Sequence, residues 1–140
     1  MAFVLDSSVA LAWLLPDENN DAADALADRL ENEAAVVPAI WRIEVGNALL
    51  MARRRERLTD KDVERLLAVL IDLPVEQEPA PDDAALAKLM RIAREHGLTS
   101  YDAAYVEVAH RRGIPLATLD QKLSAACAGA SVEVLPGGGT

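Results

Sequence analysis

Ala2-Phe3-Val4-Leu5-Asp6-Ser7-Ser8 begins with an unbroken apolar run and stops on an acid and two hydroxyls. A short continuous apolar run is the pattern of a strand buried on both faces, so 2–5 reads as such a strand. Ser7 or Ser8 then caps a helix from about 9 to 15, and Pro16 stops it. Asp6 thus stands at the carboxyl end of a buried strand. The arrangement recurs near the other end of the chain, where a strand at 115–119 runs into Asp120. In open parallel sheets ligands bind in the crevice beyond the carboxyl ends of the strands, so both acids reach one cleft.

Between these two points strands and helices alternate. Residues 20–33 have apolar positions at helical spacing with acids on the other face, and 35–37 reads as a second strand. From Pro38 the pattern Ile40, Ile43, Ala48, Leu49, Ala52 describes a helix that carries Glu44. Thr59 followed by Asp62 marks another helix start, with Pro74 beyond its end and a strand candidate at 74–79. Helices at 82–96 and 101–112 are closed by Gly97 and Gly113, the second capped by Ser100. A helix at 120–128 and a strand at 132–135 follow. This alternation predicts an α/β fold, a central parallel β-sheet flanked by helices. The 140 residues, 51% of them apolar, suffice for one core, so 1–135 is expected to be a single domain and 136–140 a flexible C-terminal tail.

The chain has 23 acidic and 14 basic residues, a net charge of −9, which argues against binding nucleic acid through the overall field. A polyanionic substrate would need a local remedy: a bound divalent cation, or a basic patch such as Arg53, Arg54, Arg55 and Arg57. That arginine run also suits the solvated end of a helix. The lone Cys127 excludes an intrachain disulfide and a thiolate metal cluster, which suits a reducing cytoplasm. No basic leader precedes the first apolar run, and no apolar stretch approaches the roughly 20 residues that span a bilayer, so neither a signal peptide nor a membrane anchor is expected.

Most of the acids have ordinary roles on polar helix faces or in first turns. Asp6, Glu44, Asp102 and Asp120 fit such roles less well, although each has a bland alternative. Asp6 and Asp120 could be helix caps, Asp102 could serve the helix start at Ser100, and Glu44 could pair with Arg42 or Arg53. Together, from separate elements facing one cleft, they would repel one another unless a cation intervened. Oxygen ligands of this kind suit Mg²⁺ or Mn²⁺. His96 and His110 lie near helix C-termini, where a histidine complements the dipole, so neither is expected to be a ligand.

Four segments, in order and spacing, resemble the PIN domains of VapC-type toxins over essentially the whole chain. They are Val4-Leu5-Asp6-Ser7-Ser8-Val9, Trp41-Arg42-Ile43-Glu44-Val45-Gly46-Asn47-Ala48-Leu49, Ser100-Tyr101-Asp102-Ala103-Ala104-Tyr105 and Leu116-Ala117-Thr118-Leu119-Asp120. The resemblance implies a PIN-like fold and a Mg²⁺- or Mn²⁺-dependent endoribonuclease that acts as a homodimer and is inhibited by a small VapB-type antitoxin. It also implies that Asp6, Glu44, Asp102 and Asp120 hold the metal, with Ser8, Asn47 and Thr118 supporting the site. Water activated at such a site would attack the phosphorus in line and leave 5′-phosphate and 3′-hydroxyl ends. Two rivals from other classes fit poorly. A metal-dependent adhesion module would need a ligand where Ala10 stands, and a phosphoacceptor domain would need an aspartate after the third strand. A PIN nuclease that processes RNA without an antitoxin remains the alternative within the family.

Overall fold

Phe3, Val4 and Leu5 are all fully buried, which consecutive strand residues achieve only when both faces of the sheet are covered. These residues belong to β1 (Ala2–Leu5) of a computed structural model that describes residues 1–136. Apart from Pro136, the expected tail lies outside the described residues. The strand is followed by α1 (Ser7–Leu14), α2 (Asp21–Arg29), β2 (Ala34–Val37), α3 (Trp41–Arg54) and α4 (Asp60–Asp72). Then come β3 (Val75–Gln77), α5 (Asp83–His96), α6 (Ser100–Arg112), β4 (Leu116–Ala117), α7 (Gln121–Gly129) and β5 (Val134–Leu135). Among the described residues the strands form one all-parallel sheet in the order β3-β2-β1-β4-β5.

That order places β1 at the centre and makes the β1–β4 boundary the point where the direction of strand addition reverses. Successive strands β1, β2 and β3 step outward on one side, and the chain then returns to lay β4 against the other side of β1. The helices pack as two sets, α1 with α2, α3 and α4, and α6 with α5 and α7. A single buried cluster joins the strands to Trp41, Leu49, Leu70, Tyr105 and Leu123 of these helices. No helix is long and apolar enough to cross a membrane among the described residues.

Local signals set most of the boundaries. Asn20 caps α2 by accepting from Ala23 N at 3.0 Å, and Gly97 and Gly113 end α5 and α6 at φ values of 65° and 64°. Three starts differ from the sequence expectation, the first being that of α3, which begins at Trp41 and not at Pro38. Helix α1 begins at Ser7, with Asp6 rather than a serine in the cap position, and the Ser8 hydroxyl is engaged by Asp6 and Leu119 instead. Helix α6 is capped by Thr99, whose Oγ1 accepts from Asp102 N at 3.1 Å, while Ser100 is already helical. Thr99 and Ser100 both carry capping chemistry, and only the backbone path chooses between them.

The Thr59–Asp62 pair forms a reciprocal capping box at the start of α4, with Asp62 N donating to Thr59 Oγ1 at 3.1 Å and Thr59 N to Asp62 Oδ2 at 2.9 Å. Thr59→Ala is expected to cost about 1 kcal/mol, which lowers the melting temperature by about 3 °C in a chain of this size. Thermal melts followed by circular dichroism check this, and an unchanged melting temperature would show that α4 is fixed by packing alone.

Candidate active site

The crevice lies where β1 and β4 end side by side. Asp6 N donates to Ala117 O at 3.0 Å, which continues the parallel pairing one residue past the strands. Only 3% of the Asp6 surface is exposed. Its Oδ2 accepts from Ser8 Oγ at 2.6 Å and from Thr118 Oγ1 at 2.8 Å. Both hydroxyls are fixed in turn, because Ser8 Oγ accepts from Leu119 N at 2.9 Å and Thr118 Oγ1 accepts from Asp120 N at 3.0 Å. With their lone pairs engaged by amides, the two hydroxyl protons are directed at the carboxylate. The β1–α1 and β4–α7 turns are therefore latched together through Asp6.

Helix α3 brings Glu44 to the same place in its first turn, beside the buried Trp41 and Val45. Its Oε1 accepts from the Tyr105 hydroxyl at 2.5 Å rather than pairing with Arg42 or Arg53. Tyr105 is fully buried on α6, one turn beyond Asp102, and a buried phenol needs such a partner. Asp102 lies in the first turn of α6 and is partly buried. Asp120 caps α7, its Oδ1 accepting from Lys122 N at 2.9 Å and Leu123 N at 3.2 Å.

The acids act on one another. Burial raises the proton affinity of Asp6 above the usual carboxylate value, partly offset by the Ser8 and Thr118 hydroxyls. Burial likewise raises Glu44; the Tyr105 hydroxyl opposes the rise, and the charges of Asp6 and Asp102 add to it. Asp102 is raised by burial and then by Asp6 and Asp120, with Thr99 and Lys122 opposing. Burial and the neighbouring Glu44 hold the Tyr105 phenol protonated far above its ordinary range, so it remains a donor. The donor set is carboxylate and hydroxyl oxygen, the chemistry that a hard divalent cation prefers. As the side chains lie, no group of three histidine, cysteine or acidic side chains among the described residues is placed to hold an ion. Asp6 and Glu44 each turn an oxygen to a hydroxyl, and Asp120 turns one to the start of α7.

Comparison with known proteins accounts for this fold. The profile of the PIN domain matches residues 3–129. The chain belongs to the PIN domain family. Among PIN relatives, "Ribonuclease VapC3" of Pyrobaculum aerophilum is 29% identical over 89% of this chain and 93% of its own length. "Ribonuclease VapC12" of Mycobacterium tuberculosis is 31% identical over 86% of this chain and 88% of its own length. The crystal structure of PAE2754 from Pyrobaculum aerophilum superposes with a TM-score of 0.73 at 25% identity, covering 97% of this chain and 90% of that one.

Other expected residues of this PIN domain lie elsewhere. Asn47 is exposed in a shallow apolar groove between α3 and α4, with Ile43, Leu50 and Leu67, and its side chain makes no hydrogen bond among the described residues. In the arginine run, Arg53 pairs with Asp60 at 2.6 Å and Arg57 with Asp17 at 2.8 Å. Arg54 contacts only the Met51 sulfur, and Arg55 has no ion pair among the described residues. His110 faces Lys88, and His96 packs against Gly129, where a Cβ would meet the ring at 2.7 Å. Tyr105 is the contact that sequence reasoning missed. Its spacing from Asp102, one helical turn, was the available signal.

Because Asp6, Glu44 and Asp102 bind protons more tightly in the folded chain than in the unfolded one, their favourable contribution is present at low pH. It is lost as pH rises through the raised values. Asp102→Asn removes one of the mutually repelling charges without touching the Asp6 latch. In EDTA it is expected to melt about 3 °C above the natural protein at pH 7, about 1 kcal/mol, with the gap closing toward pH 4. Melts at the two pH values decide, and a variant that melts lower at pH 7 would show that Asp102 contributes as a helix-start residue and not as a repelled charge.

Proposed function

We propose that this protein is a Mg²⁺- or Mn²⁺-dependent endoribonuclease that serves as the toxin of a toxin–antitoxin pair. What supports this reading most is the set of interacting carboxylates, three of them at least partly buried, at the sheet's switch point in a PIN domain. The names of the two relatives above, both ribonucleases, point to RNA as the substrate class. In this reading Asp6, Glu44, Asp102 and Asp120 hold the ion. When bound, a divalent ion lowers the pKa of water and offsets charge on the reacting phosphate, which is the requirement for in-line phosphodiester hydrolysis.

The chain's own residues supply the placement. Ser8 and Thr118 fix Asp6 in one rotamer and favour its anionic form, so the ligand is set before substrate arrives. Tyr105 fixes Glu44 through Oε1, leaving Oε2 free to face the crevice. Asp120 presents one oxygen to α7, which leaves Oδ2 for the ion or a water. Arg54 and Arg55, the members of the arginine run outside ion pairs, hold RNA away from the acids. The antitoxin is a small protein that covers exposed apolar surface, and Ile43, Leu50 and Leu67 of the α3–α4 groove are 68%, 48% and 42% exposed. The working unit is a homodimer in the cytoplasm.

Asp6→Asn, Glu44→Gln and Asp102→Asn are each expected to lower RNA cleavage on the order of 100-fold or more, while Asp120→Asn keeps partial activity. The assay is cleavage of total cellular RNA with Mg²⁺ or Mn²⁺ against EDTA, with sequencing of the cut ends; natural-level cleavage by two of the first three variants would remove the site. Independently of activity, Mn²⁺ at a hundredfold excess over its dissociation constant should stabilise the natural protein by about 2.7 kcal/mol. A melting temperature indifferent to Mn²⁺ would count against any carboxylate metal centre.

A further inference from the structure

We propose that Lys122 is the phosphate-binding residue of the acidic crevice, its ammonium holding the RNA strand beside the reacting phosphodiester. The inference rests on the nuclease reading above and adds a residue to it. Four ionised carboxylates outweigh one divalent ion by two charges, so an approaching phosphodiester still meets a negative field. A fixed cation at the rim reverses that locally.

Several of the chain's 14 cations are already paired or badly placed for the task. Arg29, Arg53, Arg57, Arg111 and Arg112 are each within 3.0 Å of at least one carboxylate oxygen, which already offsets their charge. Arg54 and Arg55 lie ten and eleven positions beyond Glu44 on or just past α3, about 15 Å along the axis at 1.5 Å per residue. Arg42 is two positions from Glu44, and helical residues at that spacing do not share a face.

Lys122 differs from all of these. It is exposed, it has no ion pair among the described residues, and it lies in the first turn of α7. Its backbone N–H donates to Asp120 Oδ1 at 2.9 Å, which anchors the Cα at the mouth of the crevice while the side chain stays free. It therefore stands beside Asp120 while its ammonium pairs with no acid among the described residues. A flexible stem ending in a compact charge suits a phosphate that shifts during reaction, as a point-charge binder.

The test compares the natural protein with Lys122→Ala and Lys122→Arg. The alanine variant keeps the amide that Asp120 accepts from, so α7 and the fold are retained. Binding of a fluorescently labelled single-stranded RNA oligonucleotide is followed by anisotropy in Ca²⁺ at several salt concentrations, beside Mn²⁺-dependent melts and steady-state cleavage in Mn²⁺. For Lys122→Ala the RNA dissociation constant is expected to rise roughly tenfold, and the slope of log affinity against log salt to flatten by about 0.7. The loss of kcat/KM should fall mainly on KM, Lys122→Arg should recover most of it, and the Mn²⁺-induced rise in melting temperature should match the natural protein. Unchanged RNA affinity and salt slope in Lys122→Ala would overturn the proposal, and so would loss of the Mn²⁺ response, which would mean that the lysine acts through the acids and not on phosphate. If the natural protein neither responds to Mn²⁺ nor cleaves RNA, the nuclease reading falls and this inference with it; if it does both and Lys122→Ala is indistinguishable from it, only the role of Lys122 falls.

Discussion

A carboxylate as buried as Asp6 is tolerable only because two hydroxyls donate to it. Transfer of such a group out of water without partners is costly enough that it would take up a proton instead. Ser8 and Thr118 oppose this by offering their protons to one oxygen, while each hydroxyl oxygen accepts from a backbone amide, of Leu119 and Asp120 respectively. Two of these four bonds, Thr118 to Asp6 and Leu119 to Ser8, tie the turn after β1 to the turn after β4. Geometry of the crevice and cohesion of the sheet's centre are thus one interaction: the acid is placed by the residues that join the two halves of the fold.

A second constraint organises the site. All four acids occupy the start of a helix, Asp6 and Asp120 in cap positions and Glu44 and Asp102 in first turns. The partial positive charge at a helix start favours an anion there. Four such starts meeting at the carboxyl edge of the sheet favour the charge that burial and mutual repulsion oppose. For Asp120 the cap does not use up the carboxylate, because its side chain caps α7 through Oδ1 and Oδ2 makes no hydrogen bond among the described residues.

This explains which parts of the molecule were legible in the sequence. Apolar runs ending on Asp6 and Asp120 announced two strand ends, and local chemistry announced most helix boundaries, since caps, Pro16 and the two αL glycines act within a turn of themselves. Contacts between distant positions were not legible. Nothing in the neighbourhood of Glu44 says that its partner is Tyr105, 61 positions away, and nothing in the arginine run says that Arg57 is held by Asp17, 40 positions before it. The run reads as free charge in one dimension and as partly neutralised charge in three. Thr99 and Ser100 show the smaller failure, in which two adjacent residues carry the same chemistry and the backbone selects one.

The sheet order has a further consequence for the birth of the molecule. Strand β1 leaves the ribosome well before its neighbour β4 and the Thr118 hydroxyl, with 112 positions separating Thr118 from Asp6. At roughly 5–20 residues per second, on the order of ten seconds pass between the synthesis of the two ends of the latch. Throughout that interval the nascent chain contains Asp6 and then Glu44 but lacks the hydroxyl and the strand that fix them in place. A nascent chain that stops short of Thr118 cannot close the latch, so the setting of Asp6 waits on the making of β4 and the turn that follows it.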